Sequence, residues 1–294
     1  MNRVLVTGGA GFIGSHLIET LASKQNNSIT SLDDYSTGSE DNHVNGVHYI
    51  RGTTAEINDL INVSPDIVYH LGEYSRVEQS FSEIDKVWKA NSHGTFEVIK
   101  FCKKHSSKLI YAGSSTKFGD GGVGRTQTPY GWTKATNTEL VRCFSEWFGL
   151  DYAVTYFYNV YGDREIQTGK YATLIGIFTN CLANNKPLPV VKPGNQKRNF
   201  THIDDIVSGL IKVGENGTGD NYGIGNDVSF TILEVAEMFG ETIEWLPERK
   251  GNRFNSEIDT SKMRAIGWKC QISLENYIQH LKANNWQTRL KIKN

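Results

Sequence analysis

The sequence predicts an α/β protein in which a doubly wound parallel sheet is followed by a smaller mixed α/β domain. Short β-branched runs alternate with longer amphipathic stretches, which is typical of parallel strands joined by crossover helices. A glycine-rich segment, VLVTGGAGFIGSHL, joins the first such run to the first amphipathic stretch. The regular alternation weakens after about residue 165, where we expect the second domain to begin.

Each element is predicted from its hydrophobic period and its flanking turn residues. The strands predicted in the first half are Val4–Thr7, Ser28–Leu32, Val47–Ile50, Ile67–Leu71, Lys108–Ala112 and Tyr152–Phe157. The helices predicted between them are Ile13–Ser23, Val87–Lys104 and Tyr130–Phe148. Later elements are a helix at Thr173–Asn184, a strand and helix around Phe200–Val213, and helices at Ile232–Phe239 and Leu274–Lys282. We expect a nucleotide-binding domain over residues 1–165, which also receives segments around 199–215, and a substrate-binding domain over 166–294.

The composition excludes several classes of protein. The chain has 294 residues and a formal net charge of −1, so no overall field favours nucleic acid or an anionic membrane. Its four cysteines are far apart and its eight histidines show no ligand spacing, so neither disulfides nor a metal site is expected. The first predicted strand lies so near the start of the sequence that we expect no signal peptide, and no apolar run is long enough for a membrane span. We therefore expect a cytoplasmic protein.

The glycine segment and the acidic residue after it predict a dinucleotide site. Gly8, Gly11 and Gly14 lie between a predicted strand and helix, where glycine permits a tight turn close to a diphosphate. Asp33 ends the next strand and can accept hydrogen bonds from both ribose hydroxyls of an adenosine. The alternative is a glycine turn without a ligand. No arginine follows Asp33 in the segment that ends at Gly38, so NAD is favoured over NADP. Together with the strand–helix alternation, the glycine segment predicts a fold of the Rossmann type.

A tyrosine, a lysine and a serine predict acid–base chemistry. Tyr130 and Lys134 are four residues apart and so share one face of a predicted helix. An ammonium beside a phenol favours the phenolate, which can take a proton from a substrate hydroxyl while the carbon loses a hydride to NAD. Ser114, at the tip of the preceding strand, can orient the same hydroxyl. The alternative is an exposed helix pair beside a polar loop.

These motifs carry a resemblance to a known family, and they occur in the order that it shows. The segments TGGAGFIGSHL, LDDYSTG, NSHGT, SSTKFGD, YGWTK, YNVYGD, RNFTHIDD and ERKGN are similar to those of the extended short-chain dehydrogenases/reductases that act on nucleotide sugars, the NAD-dependent epimerase/dehydratase family. The resemblance implies NAD in the first domain and a nucleoside-diphosphate sugar beneath the second. It also implies cofactor contacts at Phe12, Ile13, Ser36, Gly38, Thr53, Leu71, Asn91, Tyr130 and Lys134.

The residue two positions after Ser114 bears on the reaction. Sugar 4,6-dehydratases and related decarboxylating enzymes of this family carry an acidic residue there, because elimination needs a further acid–base group. Thr116 occupies this position and resembles the pattern of UDP-glucose 4-epimerases. The resemblance therefore implies 4-epimerisation of a nucleotide hexose through a 4-keto intermediate, with Thr116 assisting Ser114. The alternatives are a 4-dehydrogenase or 4-ketoreductase with net NAD(H) turnover, then a 4,6-dehydratase, and a non-catalytic NAD-binding protein.

The resemblance also implies substrate contacts, and the chain departs from the family at some positions. Asn159, Arg198 and Arg249 are expected at the diphosphate, because guanidinium groups suit phosphate oxygens. Thr53 replaces the usual aspartate at the adenine. Glu73 replaces a small residue and is taken as a substrate contact, with an acid–base role or an orientation away from the cleft as alternatives. The family further implies a homodimer through the helices at Val87–Lys104 and Tyr130–Phe148, although their apolar faces could equally pack within one subunit.

Overall fold

A seven-stranded parallel sheet forms the centre of the protein. The computed structural model describes residues 2–24, 26–240, 242–248 and 258–286. The strands of the sheet are β1 (Asn2–Thr7), β2 (Asn27–Asp33), β3 (His48–Arg51), β4 (Ile67–His70), β5 (Lys108–Ser114), β6 (Tyr152–Phe157) and β11 (Gly219–Ile224). Their spatial order is β11-β6-β5-β4-β1-β2-β3, so the strand order reverses between β1 and β4. Ligands of such sheets bind at this reversal, outside the carboxyl ends of the strands.

Helices cover both faces of the sheet, as short apolar strands buried on two sides require. The helices of this domain are α1 (Phe12–Ala22), α2 (Ile57–Leu60), α3 (Ile84–Val87), α4 (Thr95–His105), α5 (Pro129–Phe148), α7 (Ile203–Asn216) and α9 (Ser261–Ala265). Leu17 of α1 and Leu210 of α7 belong to the core on one face. Ile99 of α4 and Val141 of α5 belong to the core on the other.

A second, smaller unit lies beyond the carboxyl ends of the strands. Its strands are β7 (Val160–Tyr161), β8 (Leu188–Val191), β9 (Lys197–Asn199), β10 (Thr201–His202), β12 (Ser229–Thr231) and β13 (Ile243–Leu246), which pair two by two. Its helices are α6 (Leu174–Ala183), α8 (Ile232–Phe239) and α10 (Leu274–Ala283). Phe178, Phe239 and Ile278 are among the residues of its own apolar core.

The predicted fold class is confirmed, and the structure adds two features. After α7, the chain returns to the large sheet as β11, which pairs with β6. The sequence of β11, GDNYGI, carries too many turn-forming residues to predict a strand. The helix predicted at Val87–Lys104 is part of a continuous helical segment, α3, a π-helical stretch (Trp88–Gly94) and α4. The boundary at residue 165 stays a prediction.

Candidate active site

A cleft of about 1260 Å³ opens at the carboxyl ends of the strands, beside the reversal of strand order. Gly8 after β1, Leu71 after β4 and Ser114 at the end of β5 line its floor. Residues of the second unit, among them Tyr171 and Arg198, line the opposite wall. Several of the motifs singled out in the sequence therefore meet at one cavity.

The glycine turn is shaped for close approach to a ligand. Gly8 has a φ of +73°, in the left-handed region that favours glycine, and an added Cβ would lie 2.9 Å from the main chain of Gly72. An added Cβ at Gly14 would lie 2.1 Å from the Gly8 carbonyl oxygen. Gly11 precedes the first residue of α1, whose amino-terminal N–H groups face this turn. Only glycine keeps this cradle open for a diphosphate.

Asp33 stands at the end of β2, where the sequence predicted the adenosine ribose. Its side chain is buried and accepts hydrogen bonds from the main-chain N–H groups of Ala10 and Tyr35, each at 2.8 Å. Burial raises the pKa of Asp33, while these two N–H groups act in the opposite direction. Asp33 lines the cleft, and its contact with the adenosine ribose stays a prediction.

The other predicted cofactor residues divide into two groups. Those that line the cleft are Phe12, Ile13, Ser36, Thr53 and Leu71. Gly38 does not line the cleft. It packs against Ala10, and an added Cβ would lie 3.0 Å from that alanine. Asn91 is fully buried in the π-helical stretch, where its amide bonds the main chain of Tyr74 at 2.7 and 3.1 Å. Asn91 therefore shapes the wall behind the cleft.

Ser114 and Thr116 form a hydroxyl pair at the end of β5. The Thr116 hydroxyl donates to the Ser114 Oγ atom at 2.9 Å, and the Thr116 main-chain N–H points to the same oxygen at 3.3 Å. The hydroxyl hydrogen of Ser114 stays available because Ser114 only accepts in these contacts. Both residues line the cleft, so Ser114 can donate to a bound sugar.

Tyr130 lies in the first turn of α5, which begins beside these hydroxyls. Thr128 caps this helix by accepting a hydrogen bond from the Gly131 N–H at 2.9 Å, and Pro129 occupies the first helical position. Tyr130 lines the cleft, and its hydroxyl has no hydrogen-bond partner within the described ranges. A phenol in this position is ready to exchange a proton with a ligand.

Lys134 is one turn further along α5 and is almost fully buried. Its ammonium donates to the Ala112 carbonyl oxygen and to the Glu73 carboxylate, so two of its three N–H groups are used. The exposed fractions of the Lys134 and Glu73 side chains are 5% and 2%. Lys134 also lines the cleft, which leaves its third N–H for the cofactor or for Tyr130.

Glu73 lies at the centre of a buried polar network. Besides its ion pair with Lys134, its Oε1 atom accepts from the Thr95 hydroxyl at 2.9 Å, the Asn137 amide at 3.1 Å and the Tyr111 hydroxyl at 3.2 Å. The carboxylate is thus directed at its own protein neighbours. Contact between Glu73 and the substrate stays a prediction.

His70, the last residue of β4, is joined to this network through Thr95. Its two ring nitrogens contact the hydroxyls of Thr7 at 2.7 Å and Thr95 at 2.9 Å. Burial lowers the pKa of His70 to about 4. The imidazole is therefore neutral at neutral pH and links β1 to the residues around Glu73.

The predicted substrate residues lie on the wall formed by the second unit. Asn159 and Arg198 line the cleft. Asn159 has a φ of +35°, and its amide donates to the Asn199 carbonyl oxygen at 2.8 Å. Arg249 lies outside the described residues. Arg164, which the sequence did not single out, also lines the cleft and forms an ion pair with Glu19 of α1 at 2.6 Å.

A group of contacts that the sequence did not reveal joins the two units over the cleft. The Arg76 guanidinium donates to the Tyr171 carbonyl oxygen from Nε at 3.0 Å and from Nη2 at 2.5 Å. The Glu83 carboxylate accepts from the hydroxyls of Tyr74 and Tyr171, both at 2.7 Å. The only sequence signal for this group was the unusual HLGEYSR segment after β4.

Every helix in the described part of the chain is too short or too polar to cross a membrane. In the same ranges, no group of histidine, cysteine, aspartate or glutamate side chains is arranged to hold a metal ion.

Comparison with known proteins identifies the family. The model of the NAD dependent epimerase/dehydratase family matches residues 4–225, about three quarters of the chain. The chain belongs to this family. The recognition made from the sequence motifs is therefore confirmed, and NAD is the cofactor. The glycine cradle and Asp33 fit such a dinucleotide.

Relatives within the NAD dependent epimerase/dehydratase family catalyse different reactions. UDP-glucuronic acid decarboxylase 6 of Arabidopsis thaliana is 27% identical, with 92% of this chain and 85% of that protein covered. UDP-N-acetylglucosamine 4-epimerase of Methanobrevibacter ruminantium, solved with UDP-N-acetylmuramic acid, is 25% identical with a TM-score of 0.86, covering 95% of this chain and 96% of that one. UDP-glucose 4-epimerase of Thermotoga maritima, solved with UDP-glucose, has a TM-score of 0.87 at 23% identity. The similarity covers 96% of this chain and 99% of that one. At 23% identity, the similarity to the Thermotoga maritima enzyme shows only that the two proteins share a fold.

Proposed function

We propose that this chain is a nucleotide-sugar 4-epimerase that uses NAD. The observation that carries the proposal is the hydroxyl pair of Ser114 and Thr116 beside Tyr130. A base and an orienting hydroxyl suffice to move a hydride away from a sugar carbon and back. Thr116 supplies no carboxylate at the position where the family's dehydratases and decarboxylases carry one. The similarity to the UDP-N-acetylglucosamine 4-epimerase of Methanobrevibacter ruminantium supports the same reaction.

Tyr130 acts as the acid and base of this reaction. Its phenolate takes the proton of the sugar 4-hydroxyl, and Ser114 donates a hydrogen bond to the same oxygen. Bound NAD supplies the hydride acceptor and, later, the hydride donor. After the 4-keto sugar has turned its other face, Tyr130 returns the proton to the new alcohol. Lys134 holds the start of α5 against β5 through the Ala112 carbonyl oxygen, and its third N–H is available to the bound cofactor.

The nucleoside diphosphate is expected against the second unit. Asn159 and Arg198 on this wall can bind phosphate oxygens, and Arg164 adds a further cation near α1. Arg249 stays a predicted contact. Because none of these groups selects a base or a sugar by itself, a panel of UDP-, GDP-, CDP- and dTDP-sugars should identify the substrate.

The test is product analysis by NMR with matched tyrosine variants. The parent should interconvert a 4-epimeric pair such as UDP-glucose and UDP-galactose without net NADH formation. Tyr130→Phe should lower kcat by about a hundredfold or more, whereas Tyr152→Phe, outside the cleft lining, should not. Stoichiometric NADH would indicate a dehydrogenase or ketoreductase instead. A pentose or a 4-keto-6-deoxy product would indicate decarboxylation or dehydration.

We also propose that the protein forms a homodimer through α4, α5 and the π-helical stretch. Aromatic side chains on these segments are exposed: Trp88 by 55%, Trp132 by 42%, Phe96 by 39%, Trp147 by 61% and Phe148 by 50%. Exposed apolar surface of this kind marks an interaction site. Light scattering should give twice the chain mass for the parent and a smaller mass for Trp147→Glu.

A further inference from the structure

A strap of residues 163–173 connects β7 to α6 along the cleft. The strap residues that line the cleft are Arg164, Ile166, Lys170, Tyr171, Ala172 and Thr173. The strap is closed on itself, because the Thr173 N–H donates to the Ile166 carbonyl oxygen at 3.0 Å and the Thr173 hydroxyl donates to the buried Glu165 carboxylate. Its position over the cleft therefore depends on what each of its two ends contacts.

One end of the strap is attached to α1, the helix that follows the glycine turn. The His16 ring contacts the Asp163 carbonyl oxygen at 2.9 Å. The Arg164 guanidinium donates to the Ser15 hydroxyl at 3.3 Å and forms an ion pair with Glu19 at 2.6 Å. This end is therefore fixed on the side of the cleft where the glycine cradle lies.

The other end of the strap is attached to the loop that follows β4. The Gln79 amide donates to the Lys170 carbonyl oxygen at 2.7 Å, and the Arg76 guanidinium donates to the Tyr171 carbonyl oxygen from two nitrogens. The Lys170 ammonium and the Tyr171 hydroxyl both donate to the Glu83 carboxylate at 2.7 Å. Main-chain and side-chain groups of the strap are thus both bound at this end.

Glu83 is the centre of this second attachment. Its carboxylate accepts at 2.7 Å from two donors of its own neighbourhood and two donors of the strap: Tyr74, Lys86, Lys170 and Tyr171. Only 10% of the Glu83 side chain is exposed. Hydrogen bonds from Lys170, Lys86 and the two tyrosines hold the pKa of Glu83 below its ordinary value, so it is ionised at neutral pH. Hydrogen bonds to a carboxylate are stronger than those between neutral groups.

The proposed reaction requires that the cleft stay closed between its two hydride transfers. Once the sugar 4-hydroxyl has lost its proton to Tyr130 and its carbon has lost a hydride to NAD, the ketone is held by non-covalent contacts alone. It must turn its other face inside the cleft and then regain both. If the ketone escapes, the protein is left with NADH and with no ketone to reduce, so its cycle stops. Loops that close over a reacting ligand prevent such losses.

We propose that Glu83 is a positioning residue that keeps the strap closed over the sugar, so that the 4-keto intermediate stays in the cleft until the hydride returns. This inference rests on the proposed epimerisation. Because the other end of the strap is attached separately to α1, loss of the Glu83 contacts opens the cleft beside the loop that follows β4.

Two matched tyrosine variants test the attachment. Tyr74 and Tyr171 donate to the same Glu83 oxygen, Oε2, at the same distance of 2.7 Å, but only Tyr171 belongs to the strap. Tyr171→Phe should therefore loosen the strap, whereas Tyr74→Phe removes an equal hydrogen bond without breaking a contact of the strap. Glu83→Ala should have the largest effect. Glu83→Gln should restore part of the parent behaviour, because its amide oxygen can still accept from both tyrosines.

The first measurement is the number of turnovers that the NAD-bound protein completes before a 4-keto sugar escapes. UDP-glucose, or the sugar that the panel identifies, is the substrate. Each escape leaves one bound NADH, which is followed by its absorbance, and the released ketone is identified by mass spectrometry. Tyr171→Phe should lower this number about tenfold or more, and Tyr74→Phe should stay within about twofold of the parent. A general loss of stability would not by itself separate these two variants.

The second measurement does not need turnover. Hydrogen exchange of peptides that cover residues 163–173 reports opening of the strap in the NAD-bound protein. Exchange should be about tenfold or more faster in Tyr171→Phe than in Tyr74→Phe, and faster still in Glu83→Ala.

The outcomes separate this inference from the proposed function. If the parent epimerises but the two tyrosine variants release ketone and exchange hydrogen alike, the inference is wrong and the proposed function stands. If Tyr171→Phe raises KM without additional NADH, Tyr171 is a substrate contact and the inference is also wrong. Faster exchange in Tyr171→Phe, in a protein that converts no nucleotide sugar, would support the attachment of the strap and overturn the proposed reaction.

Discussion

Replacing Glu73 by alanine should destabilise the protein far more than removing an ion pair from its surface. The substitution leaves the Lys134 ammonium buried with only the Ala112 carbonyl oxygen as a partner. It also removes the acceptor of three donors, the hydroxyls of Thr95 and Tyr111 and the amide of Asn137. Glu146→Ala is the matched control, since Glu146 pairs with an arginine four residues earlier on an exposed face of α5.

The expected magnitude follows from the burial of the pair. Breaking a buried ion pair from one side costs about 3–5 kcal/mol, because a charge is left without compensation. Thr95 keeps its contact with His70, and water can enter the space left by the side chain, so we expect about 4 kcal/mol for Glu73→Ala. The control pair has side chains that are 54% and 56% exposed, and its loss should cost about 0.5 kcal/mol or less.

Urea unfolding followed by tryptophan fluorescence measures both losses at neutral pH without added NAD. Glu73→Gln should fall between the parent and Glu73→Ala. Its Oε1 atom can still accept from Thr95, Tyr111 and Asn137, but its amide nitrogen meets the Lys134 ammonium donor to donor. A free energy of unfolding for Glu73→Ala within about 1 kcal/mol of that for Glu146→Ala would refute the reasoning.

Three further predictions concern pH, the cofactor and a helix cap. Burial raises the pKa of Glu165 from 4.5 to about 7, so the folded state holds a proton that the unfolded state has lost, and stability falls as pH rises through this window. Burial lowers the pKa of His70 from 6.5 to about 4, which makes stability rise with pH, so the effects of Glu165 and His70 offset each other. In Glu165→Gln only the rise due to His70 should remain, and it should amount to a free energy of unfolding on the order of 3 kcal/mol. A flat profile in pH-dependent urea unfolding of this variant would contradict the prediction. Asp33→Ala should weaken NAD binding about tenfold or more while affecting NADP less, as titration calorimetry can measure; equal losses for both would argue against a ribose contact. Thr231→Ala should cost about 1 kcal/mol because Thr231 forms a capping box with Glu234, whereas Thr231→Ser should cost little in the same unfolding assay.

The residues predicted to bind the cofactor could be found from the sequence because the patterns that indicate them are local. A glycine turn between a strand and a helix needs a particular main-chain conformation, and Gly8 shows it with a φ of +73°. Asp33 ends the next strand and therefore meets that turn at the same edge of the sheet. Tyr130 and Lys134 share a helix face because of their spacing alone. None of these inferences needed knowledge of long-range packing.

Other features depended on contacts between distant parts of the chain. Glu73 and Lys134 are 61 residues apart, and only the folded structure shows that they form an ion pair. Arg76 and Tyr171 are 95 residues apart and meet because the second unit lies over the sheet. β11 joins the sheet edge although its own residues do not predict a strand.

The sequence alone predicted the Rossmann-type fold and NAD as the cofactor, and it supplied the residues of the proposed acid–base reaction, because hydrophobic period, turn chemistry and helical spacing are properties of neighbouring residues. Tertiary structure alone decided which charges oppose each other, placing Glu73 against Lys134 and leaving Arg76 without a carboxylate among the described residues. The physical reason is that a buried charge is governed by whatever packs against it, and those partners come from other strands and from the second unit.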